Sequence, residues 1–217
     1  MTTGASGLDL ATVDKLLTTT RAVRTRLDFD RPVPPEVIEG CLELAIQAPT
    51  GTNAQTWRWM VITDVDTRAQ IAELYRDRAG RPSPAGADIG EPAPPPTAQQ
   101  ERSMSSALYL MAHLHEVPVL VVPCVEKVGG AAGWAPSIYP AAWSLMLALR
   151  SRGLGSCMTT AHLFRQEEAA ELLGVPEGFA QACMLPVAWF TGDDFKPAHR
   201  TPAKELTYWN QWGQTRA

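Results

Sequence analysis

The sequence predicts an α+β fold. Segments of helical periodicity outnumber strand-like runs, and the two kinds do not alternate as a doubly wound sheet requires. Two apolar runs, residues 117–122, rich in β-branched side chains, and residues 183–190, are far too short to span a membrane, so they read as buried strands. Between them, residues 138–152 hold Ala141, Ala142, Leu145, Met146, Leu147, Ala148 and Leu149, apolar nearly all round. That pattern suits a helix buried against both a sheet and a neighbouring helix, with Gly153 as its stop.

The remaining elements follow in chain order. Leu8, Leu10, Val13, Leu16 and Leu17 recur near a helical period until Thr18, Thr19 and Thr20 weaken the helix, which delivers the chain into an arginine cluster. Pro32, Pro34 and Pro35 force extended backbone before a helical pattern over residues 36–48, which Pro49 stops. Residues 57–62 form an aromatic and β-branched run bounded by polar turns, hence a strand, and residues 67–78 return to a helical period. Residues 80–97 contain six prolines, three glycines and no sustained apolar pattern. Neither side of that stretch holds enough elements to close a core alone, so it reads as an insertion that covers or borders a site rather than as a linker. Helices follow over residues 99–115 and 164–173, the second ended by Gly174, and Pro186 marks a bulge or a strand end. The polar segment 195–217 carries Tyr208, Trp209 and Trp212, enough aromatic area to anchor an arm on its own subunit or on a partner. The expected organisation is one domain over residues 1–217 with an insertion and a C-terminal arm.

Composition narrows the function. At 217 residues, with 45% hydrophobic and 19% charged residues, the chain has an ordinary globular balance. A net charge of −4 supplies no general attraction to nucleic acid or to an anionic membrane, so any anion must be held locally. Cys41, Cys124, Cys157 and Cys183 form no CxxC pair and have no His at ligand spacing, which argues against a disulfide framework or a zinc site. The first residues lack a basic and apolar leader pattern, and the expectation is a reduced, cytoplasmic, membrane-free protein.

Three segments carry candidate chemistry. Arg21, Arg24, Arg26 and Arg31 cluster within eleven positions of a net acidic chain. Such a cluster is a solvated basic turn unless something else converges on it, and guanidinium forks are suited to phosphate. The loop from Ala48 to Trp57 combines small residues with the amides of Asn53 and Gln55, which suits the alternating donors and acceptors on the edge of a flat heterocycle. The segment from Arg152 to Ala161 opens with Gly153-Leu154-Gly155 like a dinucleotide fingerprint, but Met158 holds the third Gly position and the motif follows a helix, so it fails its own context. There is no GxxxxGK[ST] loop and no GxSxG elbow. His113 and His115, two apart on a helix, point to different sides and make a poor metal pair. Cys157 lacks a recognisable His and reads as a core cysteine.

Taken in this order, the motifs resemble the FMN-dependent nitroreductase family over most of the chain. The stretch from Thr20 to Arg26 looks like the family's N-terminal basic flavin motif, and the loop from Ala48 to Trp57 resembles its A-P-S-x-x-N-x-Q-P-W signature. Gly153-Leu154-Gly155 and the late Arg200-Thr201-Pro202 complete the match. The resemblance implies a mostly antiparallel central sheet flanked by helices, in an obligate, intertwined homodimer with a C-terminal extension. It implies that Arg21 and Arg200 bind the FMN phosphate and that Ala22 lies in the same motif, where many members carry Ser. Arg24 or Arg26 would reach the ribityl chain or the N1/O2 edge of the ring. Pro49, Thr50, Gly51 and Asn53, with Gln55, would line the ring, and Met158, Thr159 and Thr160 would offer backbone N–H groups near its pyrimidine edge. Thr56 replaces the usual Pro, Thr160 and Ala161 stand in place of a Glu-Gly found in some members, and the Asp of the flavin-fragmenting branch is absent.

The function so implied is electron transfer from NADH or NADPH through FMN to a nitroaromatic, quinone or similar flat acceptor, by a ping-pong cycle. The flavin carries the chemistry, so no catalytic side chain is expected, and no metal. A specialised oxidase or dehalogenase of the same fold, and a non-catalytic FMN carrier or sensor, are the alternatives.

Overall fold

The computed structural model describes residues 7–77, 95–128, 131–192 and 195–216, with backbone only for residues 131–135. The proline-rich insertion expected over 80–97 therefore lies outside the described residues except for 95–97. The chain divides into two compact units, one of residues 20–193 and one that joins residues 1–19 to residues 194–217.

The larger unit is built on a six-stranded sheet, paired antiparallel throughout. Its spine is β3 (Val119–Glu126), flanked on one side by β2 (Trp57–Ile62) and on the other by β6 (Leu185–Phe190) and β5 (Phe179–Gln181). Val187 takes Val119 as partner on one edge and Ser156 on the other, which places β6 between β3 and β4 (Leu154–Ser156). The two-residue β1 (Leu27–Asp28) pairs with the end of β6.

Strand β3 runs farther than its apolar run suggests, through Pro123 to Glu126. Pro123 lacks an N–H, yet its carbonyl accepts from Ala182 where the neighbouring row passes from β5 to β6. The missing donor thus falls at a break in the ladder. Pro186 is the second residue of β6, near the strand end, and faces Leu120.

Both sheet faces are covered, which is why seven of the eight residues of β3 are buried. Val119, Val121, Leu185 and Val187 pack with α2 (Pro35–Ala45) and α5 (Ala131–Ser151) through Ile38, Cys41, Ala142, Leu145 and Leu149. Leu120 and Val122 point the other way. They are equally buried, as are Ile71, Ala72 and Tyr75 of α3 (Val65–Arg76) and Leu110 of α4 (Ala98–His113).

Helix α5 begins seven residues before the predicted start, at Ala131, and includes Pro136 and Pro140. Each proline omits one backbone hydrogen bond; burial of the following apolar face outweighs that loss. Helix α2 ends at Ala45 rather than at Pro49. Helix α3 is capped by Asp64, whose carboxylate accepts from the Thr67 N–H at 2.8 Å and hydroxyl at 2.6 Å, which holds its pKa below the usual value. Thr97 and Gln100 form a capping box at the start of α4. Residues 164–173 divide into a 3₁₀ turn, Ala161–Arg165, and α6 (Gln166–Leu173), which ends at Gly174 with φ 65°.

Arg68 on α3 is a buried guanidinium. Its Nη1 donates to the carbonyls of His115 (2.9 Å) and Val117 (2.6 Å), and its Nε to that of Thr63 (3.2 Å), so one side chain ties the end of β2 to the approach to β3. Arg68→Ala should cost on the order of 2 kcal/mol in urea unfolding, because three carbonyls lose a charged donor. An unchanged urea midpoint would contradict that role.

The smaller unit holds α1 (Leu10–Thr19), with Asp9 bonded to the Ala11 N–H and Thr12 hydroxyl, and the C-terminal arm. In the arm the Tyr208 and Trp212 rings sit 4.7 Å apart and the Arg216 guanidinium lies 4.5 Å from the Trp209 ring centroid. Trp212 is 90% exposed. No helix among the described residues is long and apolar enough to cross a membrane.

Candidate functional site

The basic segment is held against the sheet by a close backbone approach. Ala22 forms a parallel bridge with Ser156, and the Val23 N–H donates to the Ser156 carbonyl at 2.9 Å. Gly155 permits this: a Cβ there would lie 2.9 Å from Val23 Cγ1 and 3.1 Å from Leu27 Cδ2. The predicted fingerprint turn is therefore a turn only at Gly153, whose φ is 82°; Leu154 to Ser156 form β4. The second glycine serves strand packing rather than a phosphate.

After Val23 the chain turns over residues 24–26, and this separates the two arginines that sequence left as alternatives. The Arg24 guanidinium donates to Ser106 Oγ at 3.4 Å, and its charge acts on the nearby buried Cys157 thiol. Arg26 points elsewhere. Its Nε donates to the Thr191 carbonyl at 2.6 Å, and its guanidinium lies 5.5 Å from the Phe190 ring centroid, so it braces the end of β6. Arg24 is thus the residue beside the turn at 158–160, and Arg26 lies at the end of β6. Arg31 stacks 3.9 Å over the Trp189 ring, whose indole N–H donates to the Pro32 carbonyl. Arg21 is half-buried at the head of the same segment.

The 158–160 turn also differs from expectation. The N–H and C=O of Thr159 both pair with Met184, at 2.9 and 2.7 Å, so its N–H is not free for a cofactor. Its hydroxyl instead lies 2.8 Å from the Tyr75 hydroxyl. Met158 is half-buried and Thr160 exposed. Tyr75 and Ser106 were missed by sequence reasoning, since nothing local in an amphipathic helix marks a polar group that meets the turn from far along the chain.

The amide loop carries unusual backbone. Thr52, Asn53 and Gln55 have φ of 53°, 56° and 49°, a left-handed region that costs ordinary residues about 1 kcal/mol or more each. Local bonds hold the shape: the Gln55 N–H donates to Thr50 Oγ1 at 3.3 Å, Gln55 Nε2 to Asn53 Oδ1 at 3.2 Å, and the Gly51 N–H to Ser137 Oγ of α5 at 3.5 Å. Pro49, Gly51, Asn53 and Gln55 are exposed and Thr50 is half-buried. Strain concentrated on an exposed loop of amides is the pattern of a binding segment.

Sheet topology keeps these two groups apart within one chain. The loop enters β2 on one side of β3, whereas Arg24 and Thr159 lie beyond β6 on the other. Three strand spacings correspond to about 14 Å. Arg200 belongs to the smaller unit, where it is exposed and donates to the His199 carbonyl at 3.1 Å.

The cysteines offer no thiolate. Burial raises Cys124 and Cys157 to about 11 and Cys183 to about 12, with the charge of Arg24 only partly opposing the effect at Cys157. His113 pairs with Glu116 at 2.6 Å and stacks on Tyr109. Among the described residues no three His, Cys, Asp or Glu side chains cluster as metal ligands. The donor set, a guanidinium, hydroxyls and amides, suits a phosphorylated heterocycle that accepts hydrogen bonds along one edge, and FMN fits that description.

Comparison with known proteins bears on the same residues. The family model "Nitroreductase family" matches residues 17–189, from the helix before the arginines to the end of β6. An iodotyrosine deiodinase of Thermotoga neapolitana is 28% identical over 180 residues, 79% of this chain and 85% of that protein. An NADH dehydrogenase of Thermus thermophilus is 27% identical over 199 residues, 82% and 87% of the two chains. Among solved structures, the FMN-dependent nitroreductase NfnB from Mycobacterium smegmatis, in complex with NADPH, superposes with a TM-score of 0.70 at 19% identity, covering 94% of this chain and all of that one. The match takes in the arginine segment, the amide loop, the turn beside Arg24 and the antiparallel sheet that carries them, and the chain belongs to the nitroreductase family.

Proposed function

We propose that the protein is an FMN-dependent oxidoreductase that takes electrons from NADH or NADPH and delivers them to a nitroaromatic, a quinone or a similar flat, electron-poor acceptor. The observation that carries this reading is Arg24, set by the close packing at Gly155 beside a polar turn, within a family-matched segment. Arg21 and Arg24 of one copy, with the turn at Met158, Thr159 and Thr160, would hold the phosphate and the polar edge of FMN. The loop from Pro49 to Gln55 enters the sheet two strands away from that turn, and a second copy would supply it. That geometry supports a homodimer with shared sites.

When bound, the flavin supplies hydride uptake and electron release. The chain's residues bind and orient it, and the Arg24 charge favours its anionic reduced form. One open face serving donor and acceptor in turn makes the kinetics ping-pong. The purified protein should be yellow, or become so with added FMN, and should bleach anaerobically with a nicotinamide; a chain that takes up no FMN overturns the proposal. Arg24→Ala should weaken FMN binding about tenfold or more, read by fluorescence titration, because a charge-assisted contact contributes about 1.5–3 kcal/mol.

A dehalogenase reading is favoured by one specific observation, the deiodinase relatives. Halide release from a halogenated phenol under reducing conditions, without nitroaromatic turnover, would select it.

A further inference from the structure

We propose that Tyr75 is a positioning residue of the redox site: it holds the Thr159 hydroxyl, and with it the polar turn, against the reducible ring. The inference rests on the FMN reading above. Thr159 is fixed at three points from two directions. Met184 holds both of its backbone groups, and the Tyr75 hydroxyl reaches its Oγ1 at 2.8 Å from a helix in another part of the chain. Tyr75 is itself buried, at 4% exposure, so its ring is set by packing and its hydroxyl cannot follow a moving partner.

The chemistry gives the contact a direction. A phenol is the stronger acid and the better donor, and an aliphatic hydroxyl the better acceptor, so the favoured arrangement has Tyr75 donating to Thr159. The Thr159 O–H then remains as a donor whose rotation is restricted. With the Thr159 N–H committed to Met184, that hydroxyl is the polar group this residue has left to offer. An oriented donor beside the ring stabilises charge that develops on reduction more than it stabilises the oxidised form. Tyr75 thus acts through Thr159 on the balance between the two oxidation states, rather than on FMN affinity as such.

The test compares FMN-loaded wild type with Tyr75→Phe, Thr159→Val, Thr159→Ser and the Tyr75→Phe/Thr159→Val pair. The ratio of FMN dissociation constants in the oxidised and reduced states is obtained from the midpoint potential and the oxidised-state titration, with thermal unfolding of each protein alongside. Tyr75→Phe and Thr159→Val should each weaken reduced FMN relative to oxidised FMN by about fivefold to tenfold, one aligned neutral hydrogen bond. Thr159→Ser should keep the wild-type ratio, and the double variant should change it no further than either single variant. A wild-type ratio in loaded Tyr75→Phe, or additive effects in the double variant, overturns the assignment while leaving the FMN reading intact. If Tyr75→Phe fails to fold, equal ratios in Thr159→Val and Thr159→Ser overturn it instead. A wild-type chain that takes up no FMN overturns both readings.

Discussion

Gly155→Val should cost about 3 kcal/mol of stability and strip the cofactor site together. Gly155 sits in β4 opposite Ala188, with Val23 and Leu27 packed directly onto its Cα. A Cβ would lie 2.9 Å from Val23 Cγ1, closer than carbon atoms tolerate, and 3.0 Å from Val23 Cβ and 3.1 Å from Leu27 Cδ2, both tighter than ordinary contact. Val23 is 3% exposed, so it has no solvent to move into. The whole 22–27 segment must lift. That breaks the Val23 to Ser156 hydrogen bond and carries Arg24 away from Cys157. Overpacking of this kind typically costs 1–3 kcal/mol, and valine adds two methyl groups beyond the Cβ. Urea unfolding and FMN titration of the same variant check both halves, with Gly155→Ala as the milder step. Wild-type stability with full flavin retention in Gly155→Val would show that the segment is not held as described.

The second large effect is on pH dependence. His162, in the 3₁₀ turn before α6, is wholly buried, and neither ring nitrogen has a hydrogen-bond partner among the described residues. Burial lowers its pKa from 6.5 to about 4, since a charged imidazolium would be stranded in an apolar surrounding. The folded state therefore keeps His162 neutral where the unfolded chain would protonate it. Stability should be insensitive to this group above pH 6.5, fall as the pH drops toward 4, and level off below that, with a total loss of about 3 kcal/mol. His162→Leu removes the titrating group and two unpaired polar atoms. The difference in unfolding free energy between the variant and wild type should therefore grow in favour of the variant between pH 7 and pH 4. A difference that stays constant across that range rules out a neutral, depressed imidazole. Carboxylates titrate in both proteins and cancel in the comparison.

Much of the larger unit was legible in the chain because burial imposes period. The runs that became β3, β6 and α5 are apolar on both faces, as elements enclosed between two layers must be, and β2 and α3 lie within a few residues of expectation. The short strands were not legible. Leu27–Asp28, Leu154–Ser156 and Phe179–Gln181 have two or three residues each, too few for alternation to register, and they exist because an adjacent strand offers them partners. For the same reason Gly153-Leu154-Gly155 read as a turn when only its first glycine turns.

The sequence by itself determined the chemical inventory: a basic segment, an amide loop, a polar turn and buried apolar elements in the order the nitroreductase family uses. Residue types and local spacing are one-dimensional facts, and hydrophobic periodicity reports which elements are enclosed. Tertiary structure alone decided direction and distance. It sent Arg24 to Cys157 and Arg26 to Thr191, spent the Thr159 N–H on Met184, brought Tyr75 to the Thr159 hydroxyl and put two strands between the loop and the turn. Those outcomes depend on contacts between residues far apart in the chain, and no local pattern encodes where a turn will aim a side chain.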